Sequence, residues 1–166
     1  MQIKKFYSAQ LKQEKGFNLI ELMIVIAIIA LLIGVGVPAW QAVVRSANET
    51  AAMQNMETLK KLQFQYSGKR NGRFAATFDE LIRSEGLDEN FRGSTPVVTG
   101  YIFTMKVEEP SGTKPAFFSV NADPQVPEGV GATGTRHFYF DSNLGNTVST
   151  EENRPAGPQD KGPTAQ

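Results

Sequence analysis

The sequence predicts an α+β protein in which one long N-terminal helix lies against a small antiparallel β-sheet. Three observations lead to this prediction. Residues 22–40 are apolar and uncharged, residues 39–66 lack glycine and proline and carry apolar side chains at helical spacing, and residues 101–108 alternate like a half-buried strand. At 166 residues, the chain has room for about one globular domain with appendages.

Charge is balanced over the whole chain but not at its start. The chain has 17 basic and 17 acidic residues, so no net field favours a nucleic acid, and none is predicted as a partner. The first 16 residues are net positive, because Lys4, Lys5, Lys12 and Lys15 outnumber Glu14. The chain has no cysteine, which excludes disulfides, thiolate metal sites and cysteine nucleophiles.

The apolar run at residues 22–40 is long enough to cross a membrane. About 20 such residues in a helix span the hydrocarbon core of a bilayer. The lysines before the run would stay in the cytoplasm by the positive-inside rule, so the bulk of the chain would lie on the far side of the membrane. A soluble cytoplasmic protein is therefore disfavoured.

Three hypotheses compete for this run. In the first, it is the h-region of a secretory signal peptide, with residues 37–39 as a small-residue cleavage site before Trp40. Against this, the run is at the top of the h-region length range and the acidic Glu21 stands at its edge. In the second, the run is a plain membrane anchor with Glu21 near its cytoplasmic end. The third depends on the residues around Gly16.

Residues 15–25 read KGFNLIELMIV, and they are followed by Ala27, Ile28, Ala30 and Pro38. This stretch resembles the prepilin signature of type IV pilins and type II secretion pseudopilins. That signature has a basic residue and a glycine, then phenylalanine, a glutamate four residues later and an apolar run. The resemblance covers residues 12–45, with Asn18 where threonine is more usual.

The resemblance implies a set of processing steps. A prepilin peptidase would cut between Gly16 and Phe17 on the cytoplasmic side of the membrane, and the new amino group of Phe17 would be methylated. The apolar segment would stay on the mature chain. Residues 1–16 would then be a cleaved leader peptide, and residues 17–40 would be a transmembrane helix that becomes the core of a filament.

A carboxylate at the edge of a spanning segment needs a partner, because moving it unpaired toward the bilayer centre costs at least a few kcal/mol. For Glu21 the resemblance supplies one, the positively charged amine of Phe17 in a neighbouring subunit. In a low-dielectric core such a pair holds register, since sliding one helix past another leaves both charges unpaired. The alternative for Glu21 is a place in the headgroup layer, in contact with water.

The helix is predicted to continue beyond the span as an amphipathic segment, residues 41–67, and to end at Ser67 and Gly68. Pro38 should kink it, because proline removes one backbone hydrogen bond and clashes with the preceding turn. Apolar residues at helical spacing mark the surface on which a globular domain would pack, namely Trp40, Val44, Ala47, Ala51, Ala52, Met56, Leu59, Leu62 and Tyr66.

Residues 68–149 are predicted to form a small α+β head, as the resemblance to pilins also implies. A capping box of Thr77 and Glu80 opens a short helix that Gly86 closes. Strands that would cover the long helix with one antiparallel sheet are predicted at residues 101–108, 116–122, 136–141 and 146–149. Residues 150–166 lack the apolar residues needed to pack and are predicted to be a disordered tail.

Catalytic chemistry is not predicted. His137 is the only histidine, and it lies in a predicted strand with no triad or metal motif around it, so it is interpreted as a sheet residue. Residues 141–146, DSNLGN, partly resemble a calcium loop but lack the closing glutamate, and a turn between strands is predicted instead. We therefore predict no enzyme, no catalytic residue, no metal site and no cofactor.

Together with the resemblance, these features predict a structural subunit of a type IV pilus. The subunit would assemble through its N-terminal helix into a surface filament used for adhesion, motility or DNA uptake. A type II secretion pseudopilin is the alternative. A membrane-anchored periplasmic binding module that does not polymerise is a further alternative, and it would need neither Gly16 before Phe17 nor Glu21 after it.

The implied partners are further copies of the chain or other pilins in a mixed filament, the prepilin peptidase, and the pilus assembly platform of the inner membrane. The precursor would be a single-pass inner-membrane protein with a cytoplasmic N terminus. After assembly the subunit would be extracellular in a pilus or periplasmic in a pseudopilus.

Overall fold

The computed structural model of the chain describes residues 16–162. The predicted leader therefore lies outside the described residues except for Gly16, and so do residues 163–166 of the predicted tail. The chain divides into two compact units, Met1–Pro38 and Ala39–Gln166. One long helix begins in the first unit and ends in the second, and the sheet belongs to the second.

Helix α1 comprises Leu19–Lys69, a length of 51 residues, and it confirms the predicted long N-terminal helix. Beyond its end, Asn71 and Gly72 adopt positive φ values of 53° and 81°. The N–H of Gly72 donates to the carbonyl of Ser67 over 3.0 Å, which satisfies one of the last helical carbonyls. Helical structure continues through Pro38, and the kink expected there stays a prediction.

The sheet is a five-stranded antiparallel meander in which each strand is hydrogen bonded to the next one along the chain. Its strands are β1 Val97–Val98, β2 Tyr101–Glu108, β3 Phe117–Pro124, β4 His137–Asp141 and β5 Val148–Thr150. The four predicted strands are confirmed as β2 to β5, with small shifts of their ends. The short β1 was not predicted, because two residues carry no recognisable alternation.

The core lies between the C-terminal half of α1 and one face of the sheet. On α1, buried side chains recur at helical spacing, at Ala52, Met56, Leu59, Gln63 and Tyr66. The sheet contributes alternate residues of adjacent strands, namely Tyr101, Phe103, Phe118, Val120, Ala122, Phe138 and Phe140. Burying a large apolar side chain of this kind contributes about 1.5–3 kcal/mol relative to leaving it exposed.

The predicted apolar stripe on α1 is too long at its N-terminal end. Trp40, its first member, is 69% exposed. The neighbouring turns of α1 are held by polar contacts instead, because the loop that faces them presents backbone carbonyls. Arg45 Nη2 donates to the carbonyl of Gly129 over 3.1 Å, and Asn48 Nδ2 donates to that of Thr133 over 2.9 Å.

Helix α2 comprises Phe78–Glu85 and confirms the predicted short helix of the head. Its N-cap is Thr77, whose hydroxyl accepts the N–H of Glu80 over 3.2 Å. Its C-cap is Gly86, in the left-handed conformation with φ of 73°, which glycine adopts without steric cost. Local sequence signals therefore set both ends of this helix.

Glu80 completes the predicted capping box differently from expectation. Its carboxylate accepts the backbone N–H of Ala76 over 3.0 Å, rather than that of Thr77, and it also accepts the hydroxyl of Tyr66 on α1. The hydrogen bond to Glu80, together with burial, raises the pKa of the Tyr66 phenol. The side chain that caps α2 therefore also ties it to α1.

The segment after β5 differs from the predicted disordered tail over residues 151–162, where the structure shows specific contacts. Arg154 Nη2 lies 2.6 Å from Asp160 Oδ1, and the N–H of Gly157 donates to the same carboxylate over 2.8 Å. Ala156 is buried, and its carbonyl accepts Asn121 Nδ2 over 2.8 Å. Polar contacts hold this segment, so its lack of apolar residues does not prevent order.

Candidate processing and assembly site

The glycine before the predicted cut, Gly16, lies in open space among the described residues. Among the described residues, a Cβ atom added to Gly16 would meet nothing within 4 Å. Phe17, which follows it, is 82% exposed. Space among the described residues therefore does not require glycine here, which is consistent with recognition of this residue by another molecule.

Asn18 and Glu21 form a capping box at the start of α1. Asn18 Oδ1 accepts the N–H of Ile20 over 3.2 Å, and Glu21 Oε2 accepts the N–H of Asn18 over 3.2 Å. The Asn18 carbonyl receives the first helical hydrogen bonds, from Glu21 and Leu22 at 3.0 and 3.2 Å. This reciprocal arrangement satisfies backbone donors that a helix start otherwise leaves unpaired.

The Glu21 carboxylate therefore has a fixed position in the first turn of α1. The positive end of the helix dipole stabilises an acid at this place. Among residues 16–162, no basic side chain forms an ion pair with Glu21. Cleavage before Phe17 would turn its amide nitrogen into a charged amine one residue from the box, which places a cation and an anion at the same helix end.

The apolar surface of α1 that follows is uncovered in the described chain. Each large apolar side chain from Phe17 to Trp40 is at least 47% exposed. Exposed apolar surface of this extent marks contact with lipid or protein. By length and composition α1 is the one helix among residues 16–162 that could cross a membrane, although secretory signal sequences share these properties.

Pro38 lies inside α1, four residues after Gly34. Proline has no N–H, so the carbonyl of Gly34 lacks its usual helical donor. A Cβ at Gly34 or Gly36 would meet nothing within 4 Å apart from the helix itself. Two glycines and a proline within five residues each lower helix stability, and this is the physical basis for expecting a kink there.

The other polar candidates of the sequence lie in the head. His137 is buried in β4, and its Nδ1 is 2.6 Å from Asp123 Oδ1 at the end of β3, a contact across strands that the sequence did not reveal. Asp141 Oδ1 accepts the N–H groups of Asn143 and Leu144 at 2.7 and 2.9 Å. This confirms the predicted turn after β4.

Within residues 16–162, no group of three or more histidine, cysteine, aspartate or glutamate side chains is arranged to hold a metal ion. Tyr139, two residues after His137 in β4, donates its hydroxyl to Asp141 Oδ2 over 3.0 Å. Burial, aided by this hydrogen bond, raises the pKa of Tyr139 to about 12. Tyr139 and Asp141 thus satisfy each other inside the sheet layer, as is typical of structural polar residues. Among the described residues, His137 Nε2 is buried without a hydrogen-bond partner.

Sequence reasoning missed the capping role of Asn18, although a signal for it was present. Asparagine is among the best N-cap residues, and residues 18–21 have the spacing of a capping box, with an acid three residues after the cap. The pairing of His137 with Asp123 had no such signal, because it depends on the register of two strands.

Comparison with known proteins finds similarity in the N-terminal segment. Residues 11–37 match the prokaryotic N-terminal methylation motif. Prepilin peptidase-dependent protein D of Escherichia coli (strain K12) is 50% identical over 42 residues, which are 25% of this chain and 29% of that protein. The chain thus matches less than a third of the length of this relative. No solved structure is significantly similar to the chain.

Proposed function

We propose that this chain, a prepilin-like protein, is a structural subunit of a type IV pilus that assembles through α1 into a surface filament used for adhesion, motility or DNA uptake. The observation that carries the proposal is the apolar surface between Phe17 and Trp40, which the described chain leaves exposed. Lipid covers such a surface in a precursor, and neighbouring helices cover it in a filament. Pilin-like proteins are structural, and we assign the chain no catalytic role.

Maturation in this proposal consists of one cut and one methylation. The prepilin peptidase cleaves between Gly16 and Phe17 on the cytoplasmic side, and the amine of Phe17 is then methylated. The open space around Gly16 and the exposure of Phe17 support access by an enzyme. Because α1 begins at Leu19, the bond to be cut lies outside the helix, where the backbone is free to enter an active site.

The assembly contact in this proposal is a charge pair between copies. The amine of Phe17 in one copy pairs with the Glu21 carboxylate of its neighbour within an apolar bundle. The capping box occupies Glu21 Oε2, so Oε1 can accept from the amine of the neighbour at the same time. In a low-dielectric bundle this pair fixes the register of neighbouring helices, because any other alignment leaves both charges unpaired.

The proposed route runs from the inner membrane to the cell surface. The precursor crosses the inner membrane once through α1, with its lysine-rich N terminus in the cytoplasm. The assembly platform of the pilus then moves the mature subunit from lipid into the filament. Other copies of the chain, or other pilins in a mixed filament, replace the lipid around α1.

Two alternative functions are compatible with parts of the same N-terminal segment. A type II secretion pseudopilin would form a short periplasmic filament from the same charge pair and the same processing. A membrane-anchored periplasmic module would keep α1 in the membrane and never polymerise. A pseudopilus would form filaments in the periplasm, whereas a pilus would form them on the cell surface. The membrane-anchored module would form no filaments at all.

The test is electron microscopy of sheared surface fibres from cells that express the full chain, with intact mass spectrometry of the fibre subunit. We expect fibres whose subunit begins at Phe17. Cells that lack this gene but carry the rest of the assembly machinery are the control. Absence of surface fibres in expressing cells would contradict a pilus, and periplasmic filaments instead would identify a pseudopilus.

A further inference from the structure

The loop between β3 and β4 presents one apolar side chain to solvent. Val130, near the middle of this loop, is 92% exposed, the highest exposure among the large apolar side chains that the structure describes. A single exposed valine needs no explanation on a mobile loop. This loop, however, is fixed at several points.

Hydrogen bonds close the loop at its base and its tip. The N–H of Thr133 donates to the carbonyl of Val126 over 2.8 Å, and the N–H of Ala132 donates to that of Gly129 over 3.3 Å. The two contacts from α1, through Arg45 and Asn48, hold the same stretch from the other side. Val130 is therefore held in place without being buried, as in a preorganised contact.

A cleft of about 370 Å³ lies at a different place on the head. It is lined by Glu108, Lys114, Pro115, Ala116, Phe117 and Asn143. The apolar members come from the start of β3 and the turn before it, and the charged ones lie at the end of β2 and in that turn. This volume exceeds what an isopropyl group needs, and the lining suits an apolar side chain with a charged neighbour.

The valine and the cleft lie at opposite ends of the sheet. Tyr101 pairs with Pro124 at the end from which the Val130 loop emerges, and Glu108 pairs with Phe117 at the end that borders the cleft. Seven residue steps of β2 separate these pairs, which amounts to roughly 23 Å at 3.3 Å per residue.

Helix α1 runs between the same two ends. Arg45 contacts the Val130 loop, whereas Lys60 Nζ donates to the carbonyl of Gly145 over 2.7 Å, in the loop beside the cleft. The 15 residues between these contacts correspond to roughly 22 Å along the helix axis. Copies that stack along parallel α1 helices would therefore bring the Val130 end of one head toward the cleft end of the next.

We propose that Val130 of one copy occupies the cleft of the next copy along the filament. Because the two surfaces differ and lie at opposite ends, the contact is head-to-tail and propagates without closing. Glu128 would then approach the ion pair of Lys114 and Glu108 at the rim of the cleft, and the ammonium group of Lys114, which has three N–H donors, could bind both carboxylates. This inference rests on the proposed function, since it requires α1 helices that align in a filament.

The test uses the absence of cysteine in the chain. A full-length variant with Val130→Cys and Ala116→Cys is assembled into fibres and oxidised, and the subunits are separated under non-reducing conditions. We expect a ladder of covalent multimers, because a disulfide requires Cβ atoms within about 4.5 Å of each other. The control pair is Val97→Cys with Ala116→Cys, since Val97 is also exposed at the Val130 end, and we expect no ladder.

A second variant tests the energetic role of the contact. Val130→Asp would bring a carboxylate into the apolar cleft, and we expect the yield of sheared fibres to fall about tenfold relative to Val97→Asp. Folding of the head is checked by thermal melting, which should not change because Val130 makes no buried contact.

The outcomes separate the two proposals. Wild-type fibres with no ladder from the Val130 and Ala116 pair, or a wild-type fibre yield for Val130→Asp, would overturn the inference and leave the pilus proposal intact. A dimer from Val130→Cys alone would indicate a symmetric contact and would also overturn it. Failure of the wild-type chain to form any filament would overturn the proposed function and this inference with it.

Discussion

Gln63 on α1 holds Ala75 through both polar atoms of its amide group. Nε2 donates to the carbonyl of Ala75 over 3.0 Å, and Oε1 accepts the N–H of Ala75 over 2.9 Å. Both residues are fully buried. A side chain thus replaces the backbone partners that the segment between α1 and α2 would otherwise lack.

Replacing Gln63 with leucine should destabilise the head strongly. The change leaves the N–H and the carbonyl of Ala75 buried without partners, and each costs about 1–3 kcal/mol. We expect a loss of about 2–5 kcal/mol in the free energy of unfolding, measured by chemical denaturation. Gln65→Leu, on an exposed position of the same helix, is the matched control and should change stability little. Equal stability of the two variants would contradict the role given to Gln63.

A truncated chain that begins between residues 39 and 44 should be soluble and monomeric. It lacks the exposed apolar surface of α1 and retains the second compact unit, Ala39–Gln166. We expect one cooperative thermal transition together with a monomer mass in solution. The chain that begins at Phe17 should need detergent under the same conditions. Aggregation of the truncated chain without a transition would mean that the head needs the earlier residues to fold.

Replacing Gly16 with a bulky residue should block maturation without changing the fold. A Cβ atom at Gly16 would meet nothing within 4 Å among the described residues, so we expect the effect of the substitution to come from the peptidase. We expect precursor of unchanged membrane content, and intact mass should show a start at Met1 instead of N-methylated Phe17. A wild-type subunit with an unprocessed N terminus, or one that begins at Trp40, would refute the proposed cut.

Glu21→Ala should stop assembly while leaving membrane insertion and cleavage intact. Breaking a buried charge pair costs roughly 3–5 kcal/mol per site, whereas removing a carboxylate from a spanning segment relieves a cost. We expect little or no fibre, with normal amounts of processed subunit in the membrane fraction. Wild-type fibre yield would reject the pairing, and loss of insertion would show that Glu21 acts before assembly.

Two further variants separate the charge of Glu21 from its capping role. Glu21→Gln keeps an acceptor for the N–H of Asn18 but loses the charge, so it should assemble as poorly as Glu21→Ala. Asn18→Ala removes the cap at a cost of about 1 kcal/mol but keeps the charge, so it should reduce fibre yield only in part. Normal assembly of Glu21→Gln would show that assembly needs the capping role of Glu21 and not its charge.

The C-terminal segment should open in acid. Arg154, with a smaller contribution from the N–H of Gly157, lowers the pKa of Asp160 from 3.8 to about 2. A folded pKa below its ordinary value gives stability that is present above about pH 4 and lost as the pH falls toward 2. In the truncated head, the amide resonance of Gly157 should titrate with a midpoint near pH 2. Asp160→Asn should abolish this titration, and a midpoint near 4 would show that the ion pair does not form.

The fold could be predicted where its signals are local. The cap at Thr77, the left-handed Gly86 and the alternation along β2 each act within a few residues, and the structure has all three. Gln63 could not be assigned, because its burial depends on Ala75, which reaches it only after the chain turns back. The contacts after residue 150 depend in part on a distant partner as well, since the carbonyl of Ala156 accepts Asn121 Nδ2 of β3.

The candidate site divides along the same line. Gly16, Phe17 and Glu21 stand in one contiguous motif, so the sequence alone picks them out. Asn18 also has a local signal, since it stands three residues before Glu21 in the spacing of a capping box. The proposed partner of Glu21 belongs to another copy, and no property of a single chain can place it. Val130 could not be identified from the sequence, because its proposed role depends on the hydrogen bonds that hold its loop in place.

The order of the strands in the sheet is also the order of their synthesis. Each strand pairs with the strand made just before it, and α1, which completes the core, precedes them all. Every pairing joins strands that are consecutive along the chain, so the entropy cost of closing each connection is lower than for strands that are far apart in sequence. The head can therefore begin to fold from its N-terminal side while the ribosome is still adding residues. In that order of events, α1 is the surface against which the hairpins pack.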